Sequence, residues 1–173
     1  MLMGKNVGLR AIEKEDLTKL LFWRNNPDFR LYFREYRELN FENQIQWFDK
    51  YVMHDVSTRM FAIIDLETSD LIGACGLCYI DWVNRSADFS IYIGKDDLYI
   101  DEFYAIEAGK LMEIYGFQEL NLHRLWSEVY SIDNKKQAFF STMGFELEAR
   151  LKETHWTQGK WVDSLYFTKV QCR

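Results

Sequence analysis

Two cysteines three residues apart, Cys75 and Cys78, form the spacing in this chain that most resembles a reagent. A Cys-x-x-Cys pair can ligate zinc or cycle through a disulfide, but a closed zinc site takes four ligands and no second pair exists. The pair lies inside the apolar run Leu71 to Ile80, which reads as a buried strand. Residues three apart on a strand point to opposite faces, so the expectation is buried core thiols. His54, His123 and His155 are scattered without HxxxH or HExxH spacing, and no metal is implied. No Cys–His or Ser–His–Asp arrangement is legible that would support a covalent enzyme intermediate.

The elements that position any chemistry follow from periodicity. Val7 to Ile12 reads as a first strand, and Glu13 to Asn25 as a helix with Leu17, Leu20, Leu21 and Trp23 near helical spacing, ended by Pro27. After an aromatic-rich connector, Asn40 caps a second helix with Phe41, Ile45, Phe48 and Val52 on one side. Met60 to Leu66 and Leu71 to Ile80 form a hairpin around Glu67–Asp70. Ser86 to Ile93 alternates cleanly, with Asp88, Ser90 and Tyr92 on one face and Ala87, Phe89, Ile91 and Ile93 on the other. Glu102 to Tyr115 is a helix, His123 to Tyr130 a strand, Asn134 to Met143 a helix, and two last strands turn at Thr157–Lys160. Strand Ser86–Ile93, the helix and strand His123–Tyr130 make a parallel crossover, while hairpins join the rest. The fold class is therefore α/β (α+β), a single domain over residues 1–173 with a mixed central sheet of about seven strands and helices on both faces.

Composition narrows the partners. With 13 Phe, 10 Tyr and 6 Trp, the chain can fill a core and still leave aromatic surface for a pocket or a subunit contact. Its formal charge of -6 argues against nucleic acid, whose phosphates need clustered Lys and Arg. No run approaches the ~18 apolar residues of a membrane span, so no membrane partner is expected. No signal-peptide core is visible, and three Cys without one point to reduced thiols in the cytoplasm.

Longer-range order adds a resemblance. The stretch Asn121-Leu122-His123-Arg124-Leu125-Trp126, then Asp133-Asn134, Met143-Gly144-Phe145 and Gly159-Lys160-Trp161-Val162-Asp163 is similar to the GCN5-related N-acetyltransferases (GNAT), in the branch of ribosomal-protein and spermidine acetyltransferases. Trp23-Arg24-Asn25, Leu71-Ile72-Gly73 and Asn84-Arg85-Ser86-Ala87-Asp88 extend it over Leu9 to Phe167. The resemblance implies direct transfer of acetyl from acetyl-CoA, as co-substrate, to a primary amine: a polyamine, an amino sugar nucleotide or a protein N-terminus. It implies that strands Ser86–Ile93 and His123–Tyr130 splay, and that the pantetheine arm lies between them on backbone groups of Ile91 and Ile93. Asn134 falls where relatives carry an Asn that contacts the coenzyme, besides being a plain N-cap. Lys136 is placed to reach a coenzyme phosphate or to be a solvated helix charge. Asp88 takes the place of a carboxylate that serves as base or amine anchor, which suits an ammonium that must lose a proton. Arg24, Asn25 and Tyr32 border the implied acceptor site; Arg24 can hold a phosphate or pair with a carboxylate of the fold. The aromatic surplus and the family habit point to a homodimer.

Two positions depart from the family pattern. The glycine-rich pyrophosphate loop is replaced by Ile100-Asp101-Glu102-Phe103-Tyr104-Ala105, in which only Ala105 matches, with Tyr104 beside it. Glycines let backbone amides approach phosphate at a helix N-terminus, whereas Asp101 and Glu102 oppose it and complement the helix dipole instead. The Tyr that protonates the departing thiolate in many relatives is Phe140 here, and Tyr130 is the available substitute beside a packing role. These losses keep open an alternative, a non-catalytic binding or regulatory module with weakened or lost CoA binding.

Overall fold

The computed structural model describes residues 1–171. One eight-stranded sheet runs through it, with strands β1 (Leu2–Met3), β2 (Val7–Ala11), β3 (Arg59–Asp65), β4 (Leu71–Asp81), β5 (Ser86–Ile93), β6 (Arg124–Tyr130), β7 (Glu146–Thr157) and β8 (Lys160–Val170). Their spatial order is β1-β2-β3-β4-β5-β6-β8-β7. Only β5 and β6 pair in parallel, so the sheet is mixed as expected. The strand beyond the expected seven is β1, two residues long and too short to show an alternation.

Helix α1 (Leu17–Asn25) follows a tight turn at Lys14–Asp16, where Glu13 and Asp16 cap one another. Asp16 also takes two bonds from the Arg10 guanidinium, at 2.6 and 2.8 Å. Pro27 does more than end α1. Asn26 leaves helical geometry and Pro27 opens a second short helix, α2 (Pro27–Arg30), because a proline at the first helical position loses no intrahelical bond. Asn40 and Asn43 form the capping box of α3 (Phe41–Trp47), which widens into a further turn at Phe48–Met53. Helices α4 (Tyr104–Ile114) and α5 (Asn134–Thr142) complete the set, α4 running on through wider turns to Glu119.

The alternation of β5 sorts the helices onto two faces. Phe89 meets Phe139 and Phe140 of α5 edge-on, with centroids 6.1 and 5.8 Å apart. On the opposite face Tyr92 meets Trp23 of α1 and Phe29 of α2. Each such aromatic, fully buried, contributes roughly 1.5–3 kcal/mol through area removed from water. Cys75 is buried and Cys78 half-buried, both as free thiols, and burial pushes the Cys78 thiol up to about 12. The far edge is different. Strand β7 is exposed along nearly all its length, and its turn into β8 puts Gln158 and Gly159 at φ 48 and 76, the left-handed pair of a tight hairpin. No helix among the described residues is long and apolar enough to cross a membrane.

Candidate active site

Strands β5 and β6 are paired only over Ser86–Asp88 against Arg124–Trp126, and then part. From Ser127 onward β6 has β8 alone as a neighbour. The expected fork is present, and Asp88 stands on its last paired rung. Backbone groups of β5 alternate between its two edges. Gly94 donates to Ile72 on the β4 side, while Ile93 exchanges bonds of 2.7 and 2.8 Å with Tyr99 on the fork side. Ile91 faces the fork edge with Ile93, at a level where β6 has already turned away, so its N–H and C=O lack a partner among the described residues. Ile91 thus has its backbone groups free on the fork side. Ile93 does not, because the chain's own Tyr99 fills that place.

The N-terminus of α4 is likewise occupied from within. The Asp101 carboxylate accepts from the amides of Phe103 (3.0 Å), Tyr104 (2.8 Å) and Ala105 (2.8 Å). These are the donors an anion would seek at a helix start, and an internal anion already holds them. Ala105 is fully buried. The Tyr104 side chain points elsewhere, its hydroxyl accepting from Lys95 (3.0 Å) and donating to Asp65 (3.2 Å). As folded, this end of the fork therefore does not fit a pyrophosphate, whereas the stretch beside Ile91 fits an amide-bearing arm. A second correction concerns Asn134. It is the exposed first residue of α5, and the cap is its neighbour Asp133, which accepts from the Lys136 amide (3.0 Å) and the buried Tyr99 hydroxyl (2.6 Å).

Asp88 is buried on the wall of a cavity of about 190 Å³. The Arg34 guanidinium bonds its Oδ2 at 2.6 Å and reaches Glu128 at 3.2 Å, so one cation ties two carboxylates together. Burial nevertheless outweighs the ion pair and holds the Asp88 carboxyl above its ordinary value. Lys136 lines the same cavity, half-buried, with its ammonium 5.9 Å from the Phe33 ring and 5.4 Å from that of Tyr99. Burial lowers its pKa, so it is not the solvated helix charge of the simpler reading. Arg34 and Glu128 escaped the sequence reading. Glu128 lies two residues before Tyr130 on β6 and follows from strand alternation, whereas Arg34, in an irregular connector 54 residues from Asp88, left no periodic signal.

Of the three acceptor-side residues, Tyr32 lines this cavity and stacks on Tyr99 with centroids 4.9 Å apart. Arg24 lines it too, together with an adjoining cavity of about 360 Å³. Asn25 instead serves the fold, its amide clamping both backbone groups of Leu39 at 2.7 and 2.9 Å. Tyr130 packs flat on His155 at 3.8 Å, and burial raises its hydroxyl to about 12. Phe140 is fully buried among Phe89, Phe139 and Phe145, with no room for a proton donor's partner.

Comparison with known proteins agrees with this geometry. The family described as acetyltransferase (GNAT) domain matches residues 6–146. The chain is 28% identical over 161 residues to spermidine N(1)-acetyltransferase of Vibrio cholerae, covering 93% of this chain and 91% of the relative. It is 30% identical over 161 residues to the enzyme of that name from Escherichia coli K12, covering 92% and 83%. The crystal structure of the V. cholerae spermidine N-acetyltransferase in complex with CoA and spermine superposes with a TM-score of 0.87 at 28% identity, over 96% of each chain. A dodecameric structure of that enzyme in an intermediate state gives 0.81 at 27% identity, over 96% of this chain and 94% of that one. With its forked sheet and its match across residues 6–146, the chain belongs to the GNAT acetyltransferase family and is an acetyl-CoA-dependent N-acetyltransferase.

Proposed function

We propose that residues 1–173 act as a single acetyltransferase domain whose acceptor, a primary amine of a small molecule, enters the Asp88 cavity while the acetyl-CoA arm lies along β5. The observation that carries this reading is the position of Asp88, a buried carboxylate on the last paired rung of the fork. Its Oδ2 is held by Arg34, and Oδ1 has no hydrogen bond among the described residues. That second oxygen is the one to receive the ammonium proton, directly or through water, before the amine attacks the thioester. The C–N bond forms as the C–S bond breaks, and the proton left on the acylated nitrogen passes through solvent to the departing sulfur, releasing CoA as its thiol. Tyr130, stacked and with a raised pKa, is assigned to packing. Coenzyme contacts fall to the Ile91 backbone and the exposed Asn134 side chain, whereas Lys136 and Tyr32 belong to the acceptor cavity.

The test is Asp88→Asn with spermidine, the amine named for the relatives, as the first acceptor offered. Thiol release should fall ~10²–10⁴-fold. The rise in melting temperature with acetyl-CoA should persist; ligand at ~100 times its dissociation constant adds about 2.7 kcal/mol. Full turnover in the variant overturns the base assignment. A purified chain that acetylates no amine and shows no shift at millimolar acetyl-CoA favours a binding module on the same fold. Self-association into a homodimer is proposed as well, in the cytoplasm, through the exposed Leu147, Leu151, Trp156 and Trp161 of the β7–β8 arm.

A further inference from the structure

The two cavities adjoin across Arg24, Glu35 and Ser90, with Asp88 lining the inner one and Lys50 the outer. Their charges are unevenly arranged. At the inner end stand Asp88 and Glu128, bridged by Arg34. The outer cavity carries Arg24, Arg37 and Lys50 against a single carboxylate, Glu35, and Arg37 already engages that carboxylate at 2.7 and 2.9 Å. Arg24 makes no hydrogen bond or ion pair among the described residues. Its guanidinium lies 4.6 Å from the Phe33 centroid, the ring that Lys136, also without a bond partner, approaches from the inner cavity. Gln44 adds a polar amide to the same wall. It is 3% exposed, lines the outer cavity, and its side-chain amide has no hydrogen-bond partner among the described residues. The amide therefore opens onto the cavity, where water or a ligand group can meet it.

We propose that the acceptor is an amine that also carries an anionic group, phosphate or carboxylate, seated on Arg24 and Gln44 while its amine end reaches Asp88. The inference rests on the transferase reading above and narrows its substrate class. A polyamine fits these adjoining cavities poorly, since its second ammonium would lie among Arg24, Arg37 and Lys50 with no free carboxylate to meet it. An anion meets two unpaired cations and an amide donor, and such charge-assisted bonds are the strong ones.

Matched amines decide it. The chain is offered acetyl-CoA with ethanolamine or O-phosphoethanolamine, propylamine or β-alanine, glucosamine or its UDP conjugate, and spermidine. At least one anionic member should exceed its plain partner in kcat/KM by about tenfold or more, the size expected of a bond to a charged group. Arg24→Gln, of unchanged melting temperature, should bring that ratio close to one. The phosphate and carboxylate arms identify which anion is read. Binding is measured separately, by calorimetry with the same amines without acetyl-CoA. If acetyl-CoA binds but no amine is acetylated, the transferase reading is what fails. This proposal then stands if an anionic amine binds the native chain and not Arg24→Gln, and falls if neither chain binds one. Spermidine turned over faster than every anionic amine, indifferent to Arg24→Gln, overturns it.

Discussion

At Asp88 two influences compete, and burial prevails over the Arg34 ion pair. The carboxyl titrates above the ~3.9 of an unperturbed Asp. Acidification should therefore switch off kcat/KM at a pH higher than an exposed carboxylate would set, and Asp88→Asn should remove that acid limb. The sign for stability is opposite to that of a paired surface carboxylate. As pH rises, the unfolded chain ionises first, so stability falls between the unfolded and the folded pKa and levels off above both. Phe140 offers a second check at this scale. Restoring the family's Tyr by Phe140→Tyr buries a hydroxyl with no partner, at a cost of ~1–3 kcal/mol. The melting temperature should drop by several degrees with no gain in turnover; a faster variant would show that the site still has use for the acid. Asp88 and Arg24 were singled out through the resemblance, and both line the inner cavity. Arg34 was not, since its partners Asp88 and Glu128 lie 54 and 94 residues away and only the folded connector brings them together.

Among the elements, periodicity located the strands of the hairpin, the fork and both long helices, because each buries one face against a neighbour. It missed α2, where a single proline both ends one helix and begins the next, and β1, whose two residues carry no pattern. The start of α4 was half legible: Asp101 and Glu102 read as acids suited to a helix N-terminus, yet the grip of Asp101 on three amides needed coordinates. Its consequence can be measured. Asp101→Ala removes a cap worth ~0.5–2 kcal/mol and should melt earlier without ligand. It also frees three donors for the coenzyme, so acetyl-CoA should bind more tightly and raise the melting temperature further than in the native chain. Calorimetry showing equal or weaker binding would mean that these amides take no part in holding the coenzyme.

Across the whole molecule, the sheet is well covered from β2 to β6 and poorly covered at its β7 edge, where Trp156 and Trp161 lie half in water. A strand so exposed, with apolar residues among its charges, is where a second copy would add its surface. Light scattering should give at least twice the 20.8 kDa chain mass, and Trp156→Ser with Trp161→Ser should lower it. A monomeric mass for the native chain would place these tryptophans outside any stable contact. The pairing of Tyr99 with Ile93 also reaches beyond its own loop. A chain that carries its own competitor for the fork shows an apparent dissociation constant equal to the intrinsic one divided by the open fraction. If the loop stands open about one part in a hundred, coenzyme binds about a hundredfold more weakly than its contacts alone dictate. The sensitivity of this enzyme to acetyl-CoA supply would then be set by how readily this loop lets go, and substitutions that never touch the coenzyme would be enough to retune it.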